Sequence, residues 1–296
     1  MRLTYATRRS PLALAQCRAF IARLVAAHPG LETIEEQIVT SGDRIQDVPL
    51  SEVGGKGLFV KEIEEALLAG KAQLAVHSIK DVPGVLPPGL VITCVPLRED
   101  PRDVLVSPKF GTLERLPNGG TVGTSSLRRA VSLHAVRPDL VIVPIRGNVD
   151  TRLRKVDAGE CDAIVLARAG LVRLSLEARA TETLEPEVSL PAVGQGALGI
   201  ECHADDSTTR ELLLAVHHDA TSRCVAAERG VMVALEGDCK TPLGAYAIRD
   251  GDDIRVRAFV TTPEGKDRRA ADERFAWPGT DAEAAEIGAK VGSAIR

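Results

Sequence analysis

Aromatic residues are scarce in this chain: two Tyr, five Phe and one Trp among 296 residues. That scarcity excludes an aromatic stacking platform for single-stranded nucleic acid. Excess positive charge is absent too, and a net charge of -4 argues against a protein that coats polyanions. No nucleic-acid partner is expected. No apolar run approaches the ~20 residues of a membrane-spanning helix. Met1–Arg9 carries no apolar stretch of a secretory signal. The expectation is a cytoplasmic protein with no membrane partner. The six cysteines form no CxxC pair and no metal-ligand spacing, so no metal is expected. Cys17, Cys94 and Cys224 fall on apolar stripes and read as core. Cys161 and Cys202 stand near strand ends. Cys239 lies in a loop, Leu235–Gly244, whose acid, lysine and proline neighbours suit a thiol.

What is present is ordinary globular composition, 44% hydrophobic and 26% charged, at a length that suits two or three domains. Arg2–Ala6 reads as a strand. Ser10 followed by Pro11 is a helix start, an N-cap hydroxyl before proline at the first helical position. Thr40–Gly57 is long, polar and rich in glycine at its end, and reads as a lid over a site or as a surface loop. Lys56 lacks the glycine spacing and the following Ser or Thr of a nucleotide-binding loop. An amphipathic helix at Val60–Ala69 leads into Leu74–Pro83, LAVHSIKDVP. There a short apolar strand ends on His77, Ser78, Lys80 and Asp81. Leu97–Asp103 reads as a linker. Strands and helices then alternate to about Leu174, which predicts α/β units with largely parallel sheets. Leu190–Glu201 carries three glycines and reads as a hinge running into a strand. After Asp219 the pattern changes to a helix, three strands and a last helix, a small α+β unit.

Three constellations carry chemistry. The first is arginine at loops that follow strands: Arg8 and Arg9, Arg128 and Arg129, Arg146 with Arg152, and Arg168 with Arg173. Several of these sit at helix N-termini, where a cation opposes the helix dipole by roughly 0.3–1 kcal/mol. An anionic ligand compensates. Arginine in place of lysine points to two-pronged recognition of carboxylate or phosphate. The second is Lys80-Asp81, where the lysine can keep the acid ionised. An ionised acid among arginines suits a cation, including one that develops during a reaction, though a structural ion pair is the plain alternative. His77 reads either as a satisfied core histidine or as a base. The third is Cys239 before Lys240, a lowered-pKa thiol or a chance loop cysteine.

Read together, the motifs resemble one family in order and over nearly the whole chain. They are ATRRSPLALAQ (Ala6–Gln16), VGGKGLFVKEIE (Val53–Glu64), HSIKDVP (His77–Pro83), REDPRD (Arg98–Asp103), VGTSSLRR (Val122–Arg129), RGNVDTRL (Arg146–Leu153), LPAVGQGALGIE (Leu190–Glu201) and EGDCKTPLGAYA (Glu236–Ala247). The chain is similar to the porphobilinogen deaminases, or hydroxymethylbilane synthases. The resemblance implies a transferase that joins porphobilinogen units head to tail with loss of ammonia and hydrolyses off a linear tetrapyrrole. It implies a dipyrromethane cofactor held by a thioether at Cys239 and a catalytic aspartate at Asp81. By the same motifs, Lys80, Asp81, Thr124, Ser126, Arg128, Arg129, Arg146 and Gly147 would hold the cofactor. Arg8, Ser10, Arg146, Arg152, Arg173 and Gln195 would hold substrate. It implies two domains like type II periplasmic binding proteins, 1–98 with 199–217 and 99–198, plus a C-terminal α+β domain, 218–296, in a monomer. Glu52 and Arg168 depart from common family residues. The competing reading is a cytosolic two-domain anion-binding protein without catalysis; it leaves Cys239 and Lys80-Asp81 without a purpose. An effector-binding domain of a transcription regulator lacks any helix-turn-helix appendage.

Overall fold

The computed structural model describes residues 1–44, 59–237 and 241–296. The chain opens with β1 (Arg2–Arg8), α1 (Pro11–Ala27), β2 (Glu32–Ile38) and a short helix α2 (Ser41–Arg44). Helix α3 (Lys61–Leu68) precedes β3 (Leu74–Ser78), a 3-10 turn at Ile79–Asp81 and β4 (Leu90–Cys94). Next come β5 (Asp103–Val106), β6 (Thr121–Gly123), α4 (Leu127–Val136), β7 (Val141–Val143), α5 (Val149–Asp157), β8 (Ala163–Ala167), α6 (Arg168–Arg173) and β9 (Glu182–Leu184). After β10 (Leu198–His203) and α7 (Ser207–Leu214) follow α8 (Asp219–Ala234), β11 (Leu243–Asp250), β12 (Asp253–Val260), β13 (Arg269–Ala276) and α9 (Asp281–Ala294).

The chain divides into two compact units. The first is Met1–Arg98 with Ala197–Ser222, and the second is Glu99–Gly196 with Arg223–Arg296. In the first, five strands run in the order β2-β1-β3-β10-β4. β1 is parallel to β2 and β3, while β10 is antiparallel to both its neighbours. Period two sorts the side chains. Leu74 and Val76 face α1, joining Leu3, Tyr5, Phe20, Leu24 and Ile200 in one apolar core. Ala75 faces α3, joining Ala6, Ile63, Leu67 and Leu90 in another. Ser10 caps α1, its Oγ accepting the Ala13 N–H at 3.3 Å, with Pro11 at the first helical position. Burial pushes the Cys17 and Cys94 thiols up to about 12, so both are inert core groups.

The second unit holds a sheet in the order β7-β6-β8-β5-β9 and a separate three-stranded antiparallel sheet, β11-β12-β13. β6 is parallel to β7 and β8, whereas β5 is antiparallel to β8 and β9. The α/β architecture is as expected, two five-stranded α/β sheets and a small C-terminal α+β part. The sheets are mixed, however, because β10 and β5 run against their neighbours. Strand β9 was not expected: Glu-Thr-Leu on a sheet edge has no apolar alternation to betray it. Strand β13 is longer than its apolar signal, since it is an exposed, charged edge. The start of the expected lid is helix α2, where Ser41 donates through N–H at 2.7 Å, and through its hydroxyl, to Glu62 Oε1. Residues 45–57 of that stretch lie outside the described residues.

Helices α8 and α9 pack the C-terminal sheet through Ala227, Val231, Ala284 and Val291. Their crossing depends on glycine. A Cβ at Gly288 would overlap the Ala227 carbonyl, and one at Gly230 the Ala285 carbonyl. Backbone cannot move aside as a side chain can. Gly288→Ala is therefore expected to destabilise the protein by at least ~1–3 kcal/mol, read in denaturant unfolding. An unchanged midpoint would show that the helices do not meet this closely.

Candidate functional site

In each α/β sheet the parallel strands set where function can gather, because ligands bind at the carboxyl ends of such strands. In the first unit, β1 and β3 are parallel neighbours with Ala6 opposite Ala75. They deliver Arg8, Ser10, Lys80 and Asp81 to the same sheet end. The Ile79 N–H bonds the Ala197 carbonyl at 3.1 Å, and the Val82 N–H closes the turn onto Ile79. Ser78 Oγ donates to Gln16 Oε1 at 3.1 Å. Lys80 is exposed and Asp81 half-buried. The Arg8 guanidinium stacks on Phe59, 4.2 Å from the ring centroid, a partner the sequence reading missed.

In the second unit, the loops after β6, β7 and β8 carry Thr124 to Arg129, Arg146 and Gly147, and Arg168 to Arg173. The start of antiparallel β5 lies at the same end, and Asp103 stands there opposite Ala167. This acid, read from sequence as part of a linker, is the centre of the cluster and fully buried. Its Oδ2 accepts from Arg128 Nη2 at 2.9 Å and Ser189 Oγ at 2.8 Å. Its Oδ1 accepts from Arg129 Nη2 at 2.7 Å, Arg129 Nε at 3.1 Å and Gln195 Nε2 at 3.0 Å. Burial alone would raise the Asp103 pKa; the charges and hydrogen bonds of the two arginines overcome it and hold the carboxyl far below the usual range.

The remaining arginines differ in their bonds. Arg128 also donates to Ser189 Oγ (3.3 Å), the Leu190 carbonyl (2.6 Å) and Gln195 Oε1 (3.3 Å). Of the five N–H donors of a guanidinium, that leaves Nε. Arg129 adds the Val165 carbonyl at 3.0 Å. Burial, then Arg129 and Arg146, pull Arg152 down to about 10, so the three guanidinium groups feel one another; Arg152 Nε bonds the Gly147 carbonyl at 2.9 Å. Arg146 Nη2 is buried and has no partner among the described residues. Arg173, pulled down to about 10 by burial against the opposing pull of Glu99, donates to the Gly196 carbonyl at 2.7 Å. Arg168 turns to Thr183 Oγ1 (2.9 Å) and Asp100 (3.3 Å).

The hydroxyls shape the backbone. Thr124 Oγ1 accepts the Ser126 N–H at 3.1 Å, and Ser126 Oγ caps α4 at the Arg129 N–H, 3.4 Å away. Gly147 has φ of 107°, and a Cβ there would stand 2.7 Å from Thr151; only glycine fits the turn that starts α5. Cys239 lies outside the described residues. Among the described residues no group of three His, Cys, Asp or Glu is placed to hold a metal ion, and no helix is long and apolar enough to cross a membrane. Chemically, the second-unit cluster is an excess of fixed guanidinium charge around one carboxylate. It suits a ligand with several carboxylates, such as a dipyrromethane bearing acetate and propionate groups, and the Arg146 Nη2 donor is the open position such a group would fill.

Two family models match the chain. One describes the porphobilinogen deaminase dipyromethane cofactor binding domain, over residues 3–211; the other its C-terminal domain, over residues 222–296. The chain is 58% identical over 294 residues to the porphobilinogen deaminase of Sorangium cellulosum (strain So ce56), covering 99% of this chain and 98% of that one. Among solved structures it is similar to the Bordetella pertussis BvgS periplasmic VFT2 domain, with a TM-score of 0.43 and 16% identity over 73% of this chain and 86% of that one. A putative methionine-binding lipoprotein from Bacillus subtilis gives a TM-score of 0.45 and 14% identity over 75% and 92%.

The Asp103 pairing has a thermodynamic signature. A depressed carboxyl pKa contributes stability above the unfolded value of ~3.9, lost as pH falls through the folded value. Asp103→Asn leaves two buried guanidinium groups without a counter-charge, so a loss of about 3–5 kcal/mol at neutral pH is expected. Urea unfolding at several pH values checks it: the gap to the parent protein should narrow only in strong acid. A gap that ignores pH would assign the cost to packing instead.

Proposed function

The chain belongs to the porphobilinogen deaminase family, and from that premise we propose how its own residues carry out the reaction. It is a transferase, a hydroxymethylbilane synthase of tetrapyrrole biosynthesis. It condenses four porphobilinogen molecules head to tail with release of ammonia and hydrolyses the product to hydroxymethylbilane. It uses a dipyrromethane cofactor. When bound, that group supplies the free pyrrole carbon to which each new unit is joined.

Residue roles follow from charge. The observation that carries them is the guanidinium excess of Arg128, Arg129, Arg146 and Arg152 around buried Asp103. Arg129, Arg146 and Arg152, with Lys80, hold carboxylates of the cofactor and the growing chain. Arg128 and Gln195 brace that cluster from within. Thr124, Ser126 and Gly147 fix the backbone from which it projects. Arg8, Ser10 and Arg173 meet substrate carboxylates at their sheet ends. Cys239 forms the thioether.

Asp81 does the opposite work. Loss of ammonia leaves the substrate as an electron-poor methylene pyrrolenine, cationic at the carbon that reacts. A carboxylate after β3 stabilises that charge and the pyrrole N–H groups that share it. Porphobilinogen is the small-molecule substrate; the protein works as a cytoplasmic monomer. Its domains are 1–98 with 199–217, 99–198 and 218–296, the last built on the three-stranded sheet.

Two measurements test the assignment. Asp81→Asn should lower kcat by ~10²–10³ with folding intact; near-normal turnover removes Asp81 from the mechanism. Intact-protein mass of holoenzyme should exceed the sequence mass by one dipyrromethane, and Cys239→Ala made under the same conditions should lack it. Retention of the added mass in that variant moves the thioether elsewhere.

A further inference from the structure

One buried ionisable cluster has no part in the mechanism above. His77 lies on β3, two residues short of the turn that carries Lys80 and Asp81. Its Nε2 lies 2.9 Å from Glu201 Oε2 on β10, and both side chains are buried. The register explains the meeting. His77 stands opposite Gly199, and Glu201 opposite Ala75. With small residues across from each, the imidazole and the carboxylate reach one another diagonally over the same face.

That face is covered by α3. Its buried positions are Ile63, Glu64, Ala66 and Leu67. The apolar ones pack on Ala6, Ala75 and Leu90, and Glu64 enters the same interface. Helix α3 packs against β1, β3, β4 and β10. The ionisable groups that face Glu64 from those strands are Glu201 on β10 and His77 on β3. On α3 itself, Glu62 turns to Ser41, while Lys61 and Glu65 pair in solvent. Glu64 Oε1 and Glu201 Oε1 are both buried with no hydrogen-bond partner among the described residues. Two buried carboxyl groups thus share one interface with one imidazole, and one oxygen of each accepts no hydrogen bond among the described residues.

We propose that Glu64, His77 and Glu201 form a buried proton-sharing cluster that docks α3 and positions the β3 end bearing Lys80 and Asp81. Its bearing on catalysis rests on the reading of Asp81 as the charge stabiliser. These are positioning residues, acting through the strand. Two buried carboxylates facing each other cannot both ionise cheaply. Burial first, and then Glu201, push the Glu64 carboxyl above the usual glutamate range, with His77 pulling the other way. A raised carboxyl contributes stability that is complete below its unfolded pKa of ~4.3 and is lost as pH rises through the folded value. Docking of α3 is therefore tightest when Glu64 carries its proton and loosens toward alkaline pH.

The experiment uses holoenzyme as parent protein, Glu64→Gln and Glu201→Gln. Thermal unfolding midpoints, kcat and KM are measured across one series of buffers from acid to alkaline pH. Gln at 64 keeps the shape of the neutral acid. Its midpoint should match the parent in acid and exceed it by about 2–4 °C at alkaline pH. The alkaline decline of kcat should be shallower than in the parent, with KM unchanged. Glu201→Gln removes the like charge, so its midpoint should vary less with pH than the parent's, and kcat should fall severalfold at constant KM. Parallel pH curves for parent and Glu64→Gln overturn the proton sharing. Superimposable kcat profiles for all three proteins overturn the positioning role. The unfolding curves do not involve Asp81, so normal turnover in Asp81→Asn would reject that residue's role while leaving the proton-sharing result standing.

Discussion

One carboxylate between two guanidinium groups organises the arginine cluster of the second unit. Removing ions from water costs several kcal/mol each. Asp103 and the two arginines tolerate it because five hydrogen bonds converge on the acid, from Arg128, Arg129, Ser189 and Gln195. An attraction of ~4 kcal/mol per pair at an effective dielectric of 20 adds to that. The balance is deliberately uneven in charge. One anion offsets one arginine and leaves the other, with Arg146 and Arg152 beyond it. The N-terminus of α4 adds its own positive dipole end. On the proposed reading a polycarboxylate ligand completes this arrangement.

What was legible in the chain was whatever depends on neighbours in sequence. Ser10-Pro11 announced α1, and the apolar run leading into HSIKDVP announced β3. Recurrent arginines after strands announced an anionic ligand. The partners of those residues were not legible. Asp103 lies 25 residues before Arg128, and nothing local separates it from the other acids of REDPRD. His77 meets Glu201 across 124 residues, because β10 returns to a sheet begun much earlier. Strand β9 escaped for a different reason, and β13 was found but read too short for the same one. Each is an edge strand that buries little, so period two leaves no apolar trace. Residue types could be read; the pairing that sets their charge state could not.

Under the proposed roles the two units do different electrostatic work. The second gathers guanidinium groups at the ends of β6, β7 and β8, proposed to hold ligand carboxylates. The first carries Asp81 after β3, beside Lys80, proposed to meet the charge that appears while ammonia leaves. Binding that is equal in ground and transition states lowers KM and leaves kcat untouched; interaction with the developing cation raises kcat. On the proposed roles, the arginines belong mainly to the first class and Asp81 to the second. On that reading the placement of Asp81 bears on kcat, and so do the buried contacts of β3 if they position it.

The neighbours Arg128 and Arg129 show why residue identity is a weaker guide than bonding. Both are arginines, both are buried, and both touch Asp103. Arg128 has four of its donors bonded within the protein, two of them to Ser189 and Leu190 at the start of the glycine-bearing segment. It holds that segment against α4 and neutralises Asp103. Arg129 makes three such bonds, two of them to Asp103, which leaves two N–H donors without a bond among the described residues. A lysine at 128 would keep the charge and lose the brace, because an ammonium has three donors on a flexible stem. The same chemical group is thus bonded through four donors at one position and through three at the next.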